Sequence, residues 1–297
     1  MRIFGAGLAG LLAGCHFPHA TIIEAGPSTQ AGHRAVLRFR SSVVGDSVGI
    51  EFRRVRVRKG IWSNDAYCAP NIRLANQYSL KVIGSLADRS IWDLEPVDRY
   101  IAPETFQAQL VERIGNRIHW GQAVTKEGLL ELSLSGSVLL STIPLSILAH
   151  WFSANAPTFQ YAPIFVKRYR LKSADVFQTV YFPDPTTSLY RVSITGNLVI
   201  AEYSRVIDEF DFWPALGLPP SESSPIEIST QRFGKILPVE DAWRKAFIFS
   251  LSQKYNLYSL GRYGVWRNLL LDDVVQDISK IKKLIHTSPY SQQLASL

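Results

Sequence analysis

The 297 residues are 46% hydrophobic and 11% aromatic, a composition that supports a large packed core and excludes disorder as the default state. A formal charge of +7 favours anionic partners: a phosphorylated small molecule, nucleic acid or an acidic surface. Two cysteines, Cys15 and Cys68, exclude a disulfide framework. The six histidines are scattered without ligand spacing, so no metal site is expected.

In chain order, residues 2 to 5 read as a short buried strand and Gly5 to Gly10 as a turn running into a helix. "ATIIEAG" reads as a second strand ending at Glu24, which completes the first half of a parallel sheet unit. The apolar first 26 residues imitate a secretion signal, but only Arg2 precedes them and His16, Pro18 and His19 interrupt them. They are also too short to span a membrane, so a soluble, cytoplasmic protein is expected.

From Gly26 to about Phe52 the pattern is irregular and polar. In "FRRVRVRKG" Arg54, Arg56 and Arg58 alternate with Val55 and Val57 and share one face of a strand. That face is either solvated, phosphate-binding or a surface for DNA or RNA, although it lacks the interleaved aromatics of a single-strand platform. Phe106, Leu110, Val111 and Ile114 predict a helix within 103 to 115. "NRIHWGQAV" reads as a strand and "LLELSLSGSVLLSTIP" as a hairpin-like pair with Gly136 near its turn. Alternating segments from about 160 to 234 predict an antiparallel sheet with one exposed face. "YNLYSLG" is a further strand candidate. In "LLLDDVVQDISKIKKLI" the residues Leu271, Val274, Val275, Ile278, Ile281 and Ile285 mark the apolar stripe of an amphipathic helix.

Gly5, Gly7 and Gly10 form G-x-G-x-x-G between the first strand and helix. Gly5 permits the tight turn, Gly7 lets backbone approach a pyrophosphate, and Gly10 lets helix and strand pack closely. Leu8 and Ala9 open the helix, whose first N–H groups face the anion. Glu24 is positioned to accept hydrogen bonds from ribose hydroxyls and would repel a 2′-phosphate, which weighs against NADP. The motif alone leaves FAD and NAD open. The loop's position near residue 5 and the early break in the parallel pattern favour FAD.

A second strand-to-helix junction lies in "NLYSLGRYGVWRNLLLDDVVQDI", where Gly261 ends a strand and Arg262 and Arg267 bracket an aromatic segment. Together these motifs resemble the FAD-dependent oxidoreductases that include the amine oxidases, and within that class the UDP-galactopyranose mutases. "GRYGVWRNLLLDDVV" is similar to the segment that closes the flavin site, "VLLSTIPLSIL" to the strand and Pro turn returning to the FAD domain, and "YFPDPTTSLYRVSI" to the segment carrying a Tyr-Arg pair near the isoalloxazine. "VWRN" departs from the more tyrosine-rich mutase sequence, and the arginine set that would clamp a UDP-sugar is incomplete.

The resemblance implies that Gly5, Gly7, Leu8, Ala9, Gly10 and Glu24 hold the ADP half of FAD. It also implies that Arg262 faces the cofactor's phosphate region and that the backbone of Asn268, Leu269 and Leu270 meets the flavin; Gly261 and Arg267 of the same junction are further cofactor-binding candidates. His33, Arg191 and Trp266 are the catalytic candidates. For Trp266 and the other aromatics packing is the competing role, and Arg262 could instead pair with Asp272 or Asp273. No G-x-S-x-G elbow supports a hydrolase.

The expected architecture is α/β, an FAD-binding Rossmann-like three-layer domain interleaved with a mainly antiparallel-sheet substrate domain. Residues 1–35, 105–155 and 236–297 build the first, 156–235 the second, and 36–104 form an insertion or cap. The expected function is FAD-dependent oxidation of an amine-type substrate by hydride transfer to flavin N5, the substrate being small and anionic or linked to nucleic acid. The alternatives are a mutase-like non-redox flavoenzyme and a basic nucleic-acid accessory protein with a vestigial nucleotide fold.

Overall fold

The computed structural model describes residues 1–28, 37–88, 90–219 and 224–287. His33 therefore lies outside the described residues. In chain order the elements are β1 (Arg2–Phe4), α1 (Leu8–His16), β2 (Thr21–Ile23), β3 (Arg38–Phe39), α2 (Val43–Ser47), β4 (Arg53–Ser63), β5 (Ala66–Cys68) and α3 (Ile72–Ile83). Next come β6 (Val97–Ile101), α4 (Phe106–Ile114), β7 (Ile118–His119), α5 (Lys126–Leu134), β8 (Leu139–Ser141), α6 (Leu145–Phe152) and β9 (Tyr161–Arg170). The chain continues through β10 (Val176–Tyr181), β11 (Leu189–Gly196), β12 (Leu198–Tyr203), β13 (Glu227–Ile236), α7 (Asp241–Tyr255), β14 (Leu257–Ser259), α8 (Gly261–Gly264) and α9 (Leu271–Thr287). They form two compact units: residues 1–53, 100–159 and 238–297, and residues 54–99 and 160–237.

The first unit is built on a five-stranded sheet in the order β14-β8-β1-β2-β7, every pair parallel. Its strands are short and apolar on both faces, as parallel strands covered by helices must be. Ile3, Ile22, Leu140 and Tyr258 point into a core shared with Leu11 and Leu12 of α1, Leu110 and Ile114 of α4, and Val274 and Ile278 of α9. The alternate residues Leu139 and Leu257 are also buried, and α7 packs against β14. Helices thus cover both faces, giving the three-layer α/β architecture expected.

Two readings are corrected here. "LLELSLSGSVLLS" is not a hairpin: Lys126–Leu134 is helical, started by Thr125, whose side chain accepts from Gly128 N. The strand that follows pairs parallel with β1 and β14, and parallel neighbours need a crossover rather than a tight turn. "NRIHWGQAV" contributes only Ile118 and His119 as strand, because Gly121 takes φ +70° and turns the chain.

Residues 37–53 belong to this first unit. Phe39 stacks on Phe52 at 5.1 Å, and Phe52 meets Phe106 edge-on at 5.1 Å. The compact unit therefore extends 18 residues beyond the boundary read from polarity.

The second unit carries the strands β13-β9-β12-β11-β10-β4-β6, with β5 returning on β4. From β13 to β10 every pairing is antiparallel, while β10 meets β4 in parallel. One face is apolar: Val180, Val192, Ile194, Val199 and Ala201 pack with Tyr169, Phe212 and Trp213. The other is polar, with Tyr181, Arg191 and Glu202 in one cross-strand row and a buried Thr179–Ser193 hydrogen bond at 3.2 Å in another. On β4 the three arginines are exposed and Val55 and Val57 buried. Asp98 takes ion pairs from Arg54 and, at 3.2 Å, from Arg56. Lys81 of α3 donates to the carbonyls of Phe182, Asp184 and Leu189 at 2.8, 2.6 and 2.5 Å.

Candidate functional site

The site in the first unit begins with backbone sterics. Gly5 sits at φ +98°, and a Cβ there would lie 2.2 Å from Thr142 Oγ1, which itself donates to Phe4 O at 2.8 Å. A Cβ on Gly10 would lie 1.9 Å from Gly5 O, so the helix can approach the strand end only because that atom is missing. Gly7 is different in kind. It is the extended N-cap of α1 with no side-chain cap, and a Cβ added to it meets nothing within 4 Å. Its smoothness opens toward empty space, in front of the first-turn amides that a helix leaves without intrahelical partners.

The Glu24 carboxylate ties this loop to the end of β2, with Oε2 accepting from Ala6 N at 2.6 Å and Oε1 from Gly26 N at 2.7 Å. Gln122 N donates to Glu24 O at 2.9 Å, which brings the segment after β7 to the same place.

The C-terminal junction arrives from the other side. Gly261 adopts φ +80°, and its added Cβ would lie 2.7 Å from Ala9 Cβ. The starts of α1 and α8, far apart in sequence, thus approach closely at one glycine. Gly264 is held against Ser141 O, 2.9 Å from where its Cβ would be. Arg262 lies with its guanidinium 5.7 Å from the Tyr263 ring centroid.

Between these elements is a cavity of about 730 Å³, within the range of small-molecule and cofactor sites. Gly5, Gly7, Leu8, Ala9, Glu24, Gly261, Arg262, Leu269 and Leu270 all line it. Gly10 stands behind the loop as its spacer. Arg267 and Asn268 are exposed and are not among the lining residues. Asp272 and Asp273 engage the segment at Arg40 and Ser41.

Trp266 is not part of the cavity wall. It is 1% exposed, takes φ +47° and packs edge-on to Phe159 at 5.0 Å. An aromatic just after a glycine-bounded turn and next to an arginine reads in sequence like a ligand-facing ring, but its left-handed backbone sends it inward.

Arg191 lies in the second unit, where its guanidinium makes two bonds to Glu202, one at 2.7 Å, and Tyr190 donates to the same carboxylate at 3.1 Å. Burial alone would raise the Glu202 carboxyl, but Arg191 reverses that and holds it below the ordinary value. The Tyr190 hydroxyl is pushed well up by burial and by the adjoining carboxylate.

The cavity also takes in residues that the sequence reading missed: Arg38 and Phe39, Gln122 to Val124, Thr142 and Trp151. One signal was available. In open parallel sheets ligands bind outside the carboxyl ends of the strands, and β1, β2, β7, β8 and β14 all deliver their following residues to this space. Among the described residues no three metal-ligating side chains come together, and no helix is long and apolar enough to cross a membrane.

The combination of this sheet, glycine loop and interleaved antiparallel unit is the fold of the FAD-dependent oxidoreductase and UDP-galactopyranose mutase-like class. Reduced UDP-galactopyranose mutase matches with a TM-score of 0.65 and 14% identity, over 97% of this chain and 94% of that one. A probable FAD-dependent monooxygenase from Pseudomonas aeruginosa matches with a TM-score of 0.53 and 11% identity, over 99% and 89%. Putrescine oxidase, in a structure with putrescine bound, matches with a TM-score of 0.52 and 10% identity, over 96% and 98%. At these identities the likeness is one of fold. No protein-family model matches the chain, and no curated protein does.

Proposed function

We propose that this chain is an FAD-dependent oxidoreductase that oxidises a small, anionic substrate at a carbon next to nitrogen. The observation that carries the reading is the convergence of five parallel strand ends, the glycine loop and Glu24 on one cavity. The residues fit the cofactor. The open side of Gly7 admits a diphosphate to the amides of Leu8 and Ala9. Glu24 has acceptor capacity beyond its two backbone donors for a ribose hydroxyl, and its charge disfavours a 2′-phosphate.

Arg262 supplies positive charge to the cofactor's phosphate region, and the backbone of Leu269 and Leu270 meets the ring. Arg267 and Asn268, which do not line the cavity, are kept as candidates on sequence grounds. Bound flavin supplies a hydride acceptor at N5, and the protein supplies orientation and electrostatics. Arg191 is kept as a candidate on sequence grounds, its guanidinium being engaged by Glu202 within the second unit. His33 is kept as a candidate on sequence grounds, and Trp266 serves the site by fixing the turn between Arg262 and Leu269.

The visible spectrum of purified protein, with the released cofactor identified by mass, tests the reading. An oxidised flavin spectrum is expected, and its absence after reconstitution with FAD would remove the central claim. Substrate amines should bleach the flavin under anaerobic conditions.

A non-redox, mutase-like activity is the second reading, favoured by the TM-score of 0.65 over nearly the whole of both chains. It predicts that turnover needs prior reduction of the flavin yet consumes no reductant. A nucleic-acid-linked substrate, or DNA or RNA held on the β4 face, is less favoured because Asp98 already engages Arg54 and Arg56. Salt-sensitive DNA binding by flavin-free protein would revive the accessory-protein alternative.

A further inference from the structure

Asp272, the second residue of α9, is only 3% exposed. A carboxylate so far out of water needs hydrogen-bond donors, and it finds them 231 residues earlier. Its Oδ1 accepts from Ser41 N at 3.0 Å and from Ser41 Oγ at 2.9 Å, and its Oδ2 accepts from Arg40 N at 3.4 Å. Asp273 completes the joint by accepting from Leu270 N at 2.9 Å and pairing with the Arg40 guanidinium.

Both sides of this joint are cavity wall. Leu37, Arg38 and Phe39 line the cavity just before Ser41, and Leu269, Leu270 and Leu271 line it just before Asp272. The first of these walls has little backbone support: β3 is two residues long and pairs with Tyr100 and Ile101. The carboxylate is therefore positioned to hold a thin wall against a helix start.

We infer that Asp272 and Ser41 form a clasp that keeps the cofactor cavity closed, so that Asp272 is a positioning residue governing how fast FAD leaves. The inference rests on the FAD reading above. Removing the carboxylate leaves the amides of Ser41 and Arg40 without their acceptor and lets the 37–41 wall swing from α9. Asparagine at 272 keeps one oxygen for Ser41 N and should restore much of the closure.

The test measures FAD release from holoprotein by recovery of free-flavin fluorescence, with hydrogen exchange at residues 37–41 followed in parallel. Asp272→Ala should release FAD about ten- to a hundredfold faster, Ser41→Ala by less, and Asp272→Asn should lie near wild type. FAD should protect the Ser41 amide in wild type but not in Asp272→Ala. Val199→Ala, a core change in the second unit, serves as the control for general destabilisation and should leave release unchanged. Wild-type release from both Asp272→Ala and Ser41→Ala overturns the clasp alone. Equal acceleration by Val199→Ala also overturns it, since closure would then follow global stability. Wild-type protein that cannot take up FAD overturns the functional reading, and the clasp's ligand with it.

Discussion

The last two glycines of the loop, Gly7 and Gly10, should fail in opposite ways when each becomes alanine. At Gly10 the new methyl would lie 1.9 Å from Gly5 O, a backbone atom that cannot rotate away. Helix α1 must move by about 1 Å to reach even the 3.0 Å that real Cβ contacts respect. Overpacking of this kind costs about 1–3 kcal/mol and occasionally more. Near the upper end, that lowers Tm by roughly 6–12 °C for a protein of this size.

At Gly7 the same methyl meets nothing, and the residue is already at φ −67°, ψ 172°, which alanine accepts. The weaker N-cap costs up to about 1 kcal/mol, offset by about 0.4–1 kcal/mol from the stiffer unfolded chain. Gly7→Ala should therefore melt with wild type, yet bind FAD at least about tenfold more weakly, on the order of 1.4 kcal/mol, because the methyl occupies the diphosphate's path. Differential scanning fluorimetry without cofactor and calorimetric titration with FAD separate the two. A Gly7→Ala protein with unchanged FAD affinity would refute the assignment of this face to the cofactor. An unchanged melting point for Gly10→Ala would refute the steric account of the loop.

Further expectations concern charge. Glu24→Ala leaves the Ala6 and Gly26 amides without their acceptor, costing about 1–3 kcal/mol; chemical denaturation measures that loss, and FAD titration should show weaker binding. Arg191→Ala strands the Glu202 carboxylate and should cost about 3 kcal/mol in urea unfolding. An Arg191→Met, Glu202→Leu double variant should recover most of it, and equal losses in single and double variants would contradict the pairing. Lys81 is pushed down to about 7 by burial, against the pull of Asp184 and Asp208 and with a further push from Arg205. Its folded-state value lies below its ordinary 10.5, so the unfolded chain holds the extra proton between those values. Wild type should accordingly gain stability relative to Lys81→Met as pH rises from about 7 to 10.5, by up to about 1.4 kcal/mol per pH unit. A pH-independent difference would mean that Lys81 titrates alike in both states.

What could be read in advance was local. Glycine at positions 5, 7 and 10 states its chemistry through neighbours only a few residues away, and the stripe of α9 repeats at a period that its own sequence contains. The β9 to β12 alternation likewise declares one apolar face. What escaped was decided by distant partners. Leu129, Leu130, Leu132 and Leu134 fit both an alternating and a helical pattern, and the parallel pairing of β8 chose the helix. Phe39 and Phe52 are spaced too irregularly to announce a core, yet both meet Phe106. Trp266 looked like a site residue because its surroundings are glycine- and arginine-rich, and only the positive φ reveals its inward course. Thr142 and Gln122 became wall residues through strand order alone, which no short stretch encodes.

The contact of Gly261 with Ala9 has a consequence for biosynthesis. Strand β1 is central in its sheet, but its neighbour β8 and the outer strand β14 are made much later. A ribosome that has released only the glycine loop has released half of a mould. Parallel pairings of such long sequence separation form slowly and leave apolar edges waiting. On the FAD reading, the cavity is complete only once β14 and the start of α9 have been made, so cofactor uptake would follow the synthesis of both.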